Sequence, residues 1–125
     1  MRDFHTAAWT DEHGTTAIEF AIIAPVFITL VIGILYMCMG LFMVGSLHYA
    51  VEEGARCRSV RTTVCSDKAT TEAYTKSRYF WPSSSPTFTY AAAACGNSVS
   101  ASVNYVMNLG LTQITVPLSA TACFP

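Results

Sequence analysis

Between Phe20 and Val44 the sequence has no Asp, Glu, Lys, Arg or His. Charged residues make up only 12% of the 125-residue chain, against about 25% in a typical soluble domain. A deficit of that size means that part of the surface does not face water. Net charge is −1, so no basic field points to nucleic acid. Histidine is scarce as well. His5 and His13 lie ahead of the apolar run and only His48 lies behind it, so a Ser–His or Cys–His site has one candidate and no visible partner. H-E-x-x-H, P-loop and Gly-rich nucleotide motifs are missing, and so are internal repeats. These absences favour a structural or assembly role over an enzyme, with no cofactor and no metal.

What is present is the run itself, FAIIAPVFITLVIGILYMCMGLFMV. A bilayer core is crossed by about 20 apolar residues in helical form. A buried core helix of that length would need a large domain around it, and the rest of the chain is too short to supply one. A secretory signal peptide has a shorter apolar stretch of roughly 7–15 residues and a basic start. Here Arg2 stands against Asp3, Asp11 and Glu12. The run is therefore read as a single transmembrane helix, with the lipid bilayer as its partner.

Residues 1–14, MRDFHTAAWTDEHG, are mostly polar and aperiodic and read as a leader or tail outside the fold. Residues 15–62 read as one long helix, with the membrane part at about 20–44. Thr15 and Thr16 are placed to cap its start, and Glu19 falls in its first turn, where a carboxylate suits the helix dipole. Pro25 lies inside. It removes one backbone bond, which membrane helices tolerate. After Val44 the pattern becomes amphipathic, with Leu47, Ala50, Val51, Ala55 and Val60 at roughly helical spacing. Gly54 weakens the helix there.

Residues 63–125 read as a small α+β domain. A short helix is expected over 66–80, capped by Ser66, with Ala69, Ala73 and Tyr74 facing inward. WPSSSP then breaks regular structure. Three strands follow, forming a small antiparallel sheet. The first is 87–94, and CGNS supplies a turn after it. Residues 98–107 alternate, with Val99, Ala101, Val103, Tyr105 and Met107 on one face. Beyond a turn at Asn108–Gly110, residues 112–122 place Ile114, Val116, Leu118, Ala120 and Ala122 on their apolar face. Pro117 points outward and assigns this strand to an edge.

Five cysteines are present. Cys38 lies in the apolar run as a small packing residue. Cys57, Cys65, Cys95 and Cys123 form an even set in a domain too small to build much core, where disulfides commonly compensate. Zinc sites usually draw ligands from C-x2–4-C pairs, and these spacings do not fit. If 98–107 and 112–122 form a hairpin, facing residues sum to about 219 and Cys95 falls opposite position 124, next to Cys123. That pairing leaves Cys57–Cys65 to close a short loop between the two helices. Oxidised pairs place the domain outside the cytoplasm. The positive-inside rule opposes this, since Arg56, Arg58 and Arg61 follow the run and only Arg2 precedes it.

The segment Gly14-Thr15-Thr16-Ala17-Ile18-Glu19-Phe20, with Pro25 after it, resembles a type IV prepilin processing site. The longer pattern GTTAIEFAIIAPVF, followed by AVEEGAR and alternating strands, resembles TadE-like proteins, which are minor pilins or pseudopilins of Tad (Flp, type IVc) pili. The resemblance implies cleavage between Gly14 and Thr15 by a prepilin peptidase, which makes Glu19 the fifth residue of the mature chain. It also implies a leader in the cytoplasm, a domain in the periplasm or on a pilus, and partners among other pilin subunits and the inner-membrane assembly platform. Glu19 then has two readings, an assembly contact with a neighbour's N-terminal amine or a residue that merely suits the helix dipole. Pro25 is either a bend that lets subunits pack or a tolerated membrane proline. Two alternative functions stand beside the minor-pilin expectation. One is a membrane-anchored periplasmic binding domain that keeps its leader, and the other is the main subunit of a filament.

Overall fold

The computed structural model describes residues 13–80, 84–108, 110 and 112–125. Its elements, in order, are α1 (His13–Val60), α2 (Lys68–Ser77), β1 (Thr87–Ala93), β2 (Gly96–Asn108) and β3 (Gln113–Phe124). The three strands form one antiparallel sheet in the order β1-β2-β3. This is the α+β architecture expected, with one long helix, one short helix and a three-stranded sheet. Residues 1–12 of the expected leader, and residues 81–83 of the expected WPSSSP loop, lie outside the described residues.

The chain divides into two compact units, residues 1–36 and 37–125. In the first, α1 carries apolar side chains around its whole circumference. Ile18, Phe20, Ile22, Ile23, Val26, Phe27, Ile28 and Leu30 are all exposed. A helix with apolar residues on every side and none of the described residues covering them has no aqueous face. Thr29 Oγ1 donates to Pro25 O at 2.8 Å, so its hydroxyl needs no water.

In the second unit the same helix becomes one wall of a core. Met43, Leu47, Ala50, Val51 and Ala55 are buried, together with Phe88, Val99, Ala101, Val103, Tyr105 and Ala120. The alternation expected for 98–107 holds along β2. On β3 the expected apolar face is buried only at Ala120, and Ile114 and Val116 are exposed. Val60 is exposed too, because the core ends before the last turn of α1. Pro117 pairs opposite Asn104 on β3, an edge strand, where its missing N–H costs no ladder bond to a further strand.

α2 is shorter than expected and is capped differently. Asp67, not Ser66, is its N-cap. Asp67 Oδ1 accepts from Thr70 N at 2.8 Å, and Asp67 N donates to Thr70 Oγ1 at 3.1 Å, a reciprocal box. The inward residues are Thr71 and Thr75, while Ala69 and Ala73 are exposed. Both threonines bury their methyl groups without stranding a hydroxyl. Thr71 Oγ1 donates to Asp67 O at 2.7 Å, and Thr75 Oγ1 donates to Thr71 O at 2.8 Å. Gly54 explains the inward turn of Thr75. A Cβ at Gly54 would overlap Thr75 Oγ1, so glycine is what lets α2 approach α1 this closely. Its effect is on packing between helices more than on the helix that contains it.

Candidate functional site

Four groups of residues carry the functional expectations: the Gly14–Thr15 junction, Glu19, Pro25 and the cysteines. Gly14 and Thr15 lie in the first turn of α1, which begins at His13, two residues ahead of the expected start. Thr15 and Thr16 are therefore inside the helix instead of capping it. Glu19 stands in the second turn, so the first turn of this uncut chain holds no acid. The dipole argument for Glu19 loses force accordingly, because the effect fades within the first turn. Glu19 is exposed, and among the described residues no basic side chain pairs with it. Pro25 sits within an unbroken helical assignment.

The disulfides are Cys57–Cys65 and Cys95–Cys123, and Cys38 is an exposed free thiol on the apolar run, not packed as expected. The two bridges join the cysteines expected to pair, although the strand register differs. Facing residues of β2 and β3 are Val99–Ala122 and Asn97–Phe124, which shifts the expected register by two positions. Cys95 consequently lies outside the ladder, in the two-residue Ala94–Cys95 turn that joins β1 to β2. From that turn it reaches past the end of β2 to Cys123 on β3. Gly96 makes the path possible. It has a φ of 120°, and a Cβ there would run into the backbone of Phe124 and Pro125. Ala94–Cys95, ahead of the expected CGNS, is thus the turn.

Cys57–Cys65 is buried where α1 gives way to α2. Arg58 reinforces the same corner. Its Nη1 donates to Cys65 O at 2.7 Å, and its guanidinium lies 5.5 Å from the Tyr90 ring centre. Arg58 is thereby held within the fold, whereas Arg56 and Arg61 are exposed. His48 is exposed as well.

Several positioning residues give no sequence signal. Glu72 Oε1 accepts from Tyr90 N at 2.9 Å, which ties α2 to β1. Ser59 Oγ accepts from Asn97 Nδ2 at 2.8 Å and donates to Phe124 O at 3.2 Å, which ties α1 to the sheet. Ser46 Oγ accepts from Phe80 N at 2.9 Å. Each joins residues at least 18 apart in sequence, beyond the reach of any local pattern.

Chemically the described residues are plain. No group of three or more His, Cys, Asp or Glu comes together among them. One groove of about 450 Å³ is lined by Glu52, Glu53, Ala55, Arg56 and residues 121–124, without a histidine or a free thiol. The hydrogen bonds from Thr70, backbone first and hydroxyl second, hold the Asp67 carboxyl below its ordinary range. The molecule's distinguishing surface is instead the uncovered apolar length of α1. By length and composition it is a candidate membrane span.

Comparison with known proteins bears on that same length. The model of the TadE-like protein family matches residues 14–56. The match begins at Gly14, includes Glu19 and Pro25, crosses the apolar run and ends at Arg56, within the packed part of α1. It stops short of the disulfides and the sheet. No curated protein and no solved structure matches the chain.

Proposed function

Taking a TadE-like segment over residues 14–56 as the premise, we propose that the chain is a pilin-like structural subunit, a minor pilin or pseudopilin, of a Tad (Flp) pilus. It is inserted in the inner membrane by α1, with its disulfide-bonded domain in the periplasm, and is incorporated into the filament or primes it. Its role is assembly and not catalysis. The observation that carries the reading is the combination within the matched segment. A glycine and a glutamate, with four residues between them, open an apolar stretch of α1 that none of the described residues buries.

The mechanism follows from charge and exposure. A prepilin peptidase cuts after Gly14 and creates an amine on Thr15. Glu19 is then the one acid at the mouth of a charge-free run. An ionised carboxylate at the edge of a membrane needs a partner. A neighbouring helix staggered along the axis brings its new amine to this carboxylate. Desolvation offsets much of the attraction, so the pair fixes register more than it adds stability, and leaving one charge unpaired costs more than the pair gains. The exposed side chains of residues 18–35 then pack against equivalent helices in place of lipid, and the inner-membrane assembly platform is where that exchange takes place.

The test is Glu19→Ala and Glu19→Gln in cells that assemble the pilus. Both variants are expected to insert, to be cut after Gly14 and to form both disulfides, yet to be depleted from sheared or affinity-purified pili. Gly14→Trp is expected to stop cleavage. Normal recovery of both Glu19 variants in pili removes the assembly contact. A native protein that keeps its leader in the membrane and never appears with pilus subunits supports a membrane-anchored periplasmic domain instead.

A further inference from the structure

The two edges of the sheet are finished differently. The β1 edge is closed at mid-strand, because the Tyr90 N–H is already held by Glu72 of α2 at 2.9 Å. β3 forms the other edge with 12 residues, and no strand lies beyond it among the described residues. A long edge strand is a template for pairing with another chain. The register of β3 with β2 is continuous from Gln113 to Phe124. Pro117 has no N–H to give to β2, so its nitrogen faces the open side. Backbone groups alternate in direction along an antiparallel strand. Ser119, Thr121 and Cys123 therefore also turn their N–H and C=O groups to the open side, where no described strand meets them.

β3 is also thinly covered on its helix side. Ile114, Val116 and Phe124 are 44%, 37% and 39% exposed there, and only Ala120 is buried. Beside residues 121–124 runs the groove of about 450 Å³ whose opposite wall is Glu52, Glu53, Ala55 and Arg56 of α1. Glu53 is half-buried. Yet Glu52, Glu53 and Arg56 make no ion pair or hydrogen bond through their side chains among the described residues. Together they leave the groove with a net negative charge. The sheet cannot neutralise it, because every Lys, Arg and His of the chain precedes Tyr79. A second copy that paired its β3 with this one about Thr121 would bring two sets of Glu52 and Glu53 to one groove, where like charges repel.

We propose that the open edge of β3 from Ser119 to Cys123 receives an extended segment of a different protein, apolar at alternate positions and carrying a Lys or Arg that reaches Glu52 and Glu53. The segment adds a fourth strand to the sheet. Its backbone bonds to the open-side groups of Ser119, Thr121 and Cys123. Its apolar side chains cover Ala122 and Phe124 on the helix side, and its cation neutralises the groove. In strand addition the main-chain bonds supply the hold, and the pocket beside them selects the side chains. Pro117 limits the pairing, since no bond forms at its nitrogen. The proposal goes beyond the pilus reading and needs neither cleavage at Gly14 nor a membrane.

The test uses the full isotope-labelled chain in detergent, with intact mass confirming both disulfides. The probe is an acetylated and amidated heptapeptide that alternates Thr with Val and carries Lys at its centre, on the Val face. Its twin carries Glu there. The Lys peptide is expected to bind and to slow amide exchange at Ser119, Thr121 and Cys123, with Ala92 on the β1 edge unchanged. The Glu twin should bind about tenfold more weakly. The Glu52→Gln, Glu53→Gln double variant should lose about tenfold in affinity for the Lys peptide while its melting temperature holds. Thr121→Pro removes the middle donor, as Pro117 does at its own position, and should abolish binding. No binding of the Lys peptide, or equal binding of both peptides, overturns the proposal. So does a folded Thr121→Pro variant that still binds. Slowed exchange at Ala92 and not at Thr121 puts the peptide on β1 and overturns it too. Slow exchange at Thr121 that rises with protein concentration and needs no peptide means that a second copy takes the edge, which also overturns it. None of these outcomes alters the recovery of Glu19 variants in pili, so the pilus reading stands or falls separately.

Discussion

The two stretches of α1 share one secondary structure and bury opposite things. From Ile18 to Leu35 apolar side chains point in every direction and none is buried by the described residues. From Met43 to Cys57 one stripe is buried against the sheet and α2 while Tyr49, Glu52 and Arg56 stay outside. Helix propensity does not separate the two. The solvent each stretch anticipates does: a span suited to lipid has no reason to hide any face, and a stretch in water must hide one.

The contrast can be broken from either side, and the largest effect is expected in the packed stretch. Val51 is fully buried, and Val51→Asp places a charge there without a partner. It should destabilise the domain by more than about 4 kcal/mol, in the exceptional range for a single change. Thermal unfolding in detergent reads that loss, and carbonate extraction should still find the chain in the membrane.

The converse substitution is Leu30→Lys in the uncovered stretch. A lysine at the centre of a span costs about 2.5–3.5 kcal/mol of insertion free energy. The inserted fraction should fall while the melting temperature of the detergent-solubilised domain stays unchanged. A drop in melting temperature would show that the uncovered stretch is part of the domain core after all.

A smaller effect sharpens the account of how the packed stretch holds α2. Gly54→Ala should cost about 1–3 kcal/mol by overpacking against Thr75. Adding Thr75→Ala should return part of that loss, because the two residues share one contact. Strict additivity in the double variant would mean that Gly54 is not what sets the approach of the helices.

The smallest effect concerns the cap. The Asp67 carboxyl is held below its ordinary range by Thr70, so its ionised form is favoured in the folded state. That contribution is present above the unfolded-state value and is lost as pH falls through the lower folded-state value. Asp67→Ala should therefore weaken α2 slightly at neutral pH and flatten the acid limb of the stability profile. An unchanged acid limb would assign the acid sensitivity to other carboxylates.

How much of this was legible in the sequence depends on the range of the interaction. The apolar run, the alternation of Val99 through Tyr105 and the edge position of Pro117 all follow from local pattern, and all appear in the fold. The Gly14–Glu19 spacing is equally local. Gly54 shows where local reasoning stops: its cost to a helix is readable, but its use against Thr75 requires knowing that α2 packs there. The cap shows a different failure. Ser66 and Asp67 are both good caps, and only the reciprocal bond with Thr70 decides between them. The register of β2 and β3 differs by two positions because it follows from the strand ends, and these are Asn108 and Gln113 where residues 107 and 112 are expected; Cys95 then falls beyond the ladder, in the turn ahead of Gly96. The exposure of Ile114 and Val116 also has no local signal, since alternation says which face a residue is on and not whether anything packs against it there.

The central claim is that α1 is a processed membrane helix joined to an oxidised domain. Intact mass of the native protein extracted from membranes tests both parts at once. The account predicts a chain that begins at Thr15, without residues 1–14, and lacks the four thiol hydrogens of Cys57, Cys65, Cys95 and Cys123. A mass that retains residues 1–14 and all four of those thiols would contradict it.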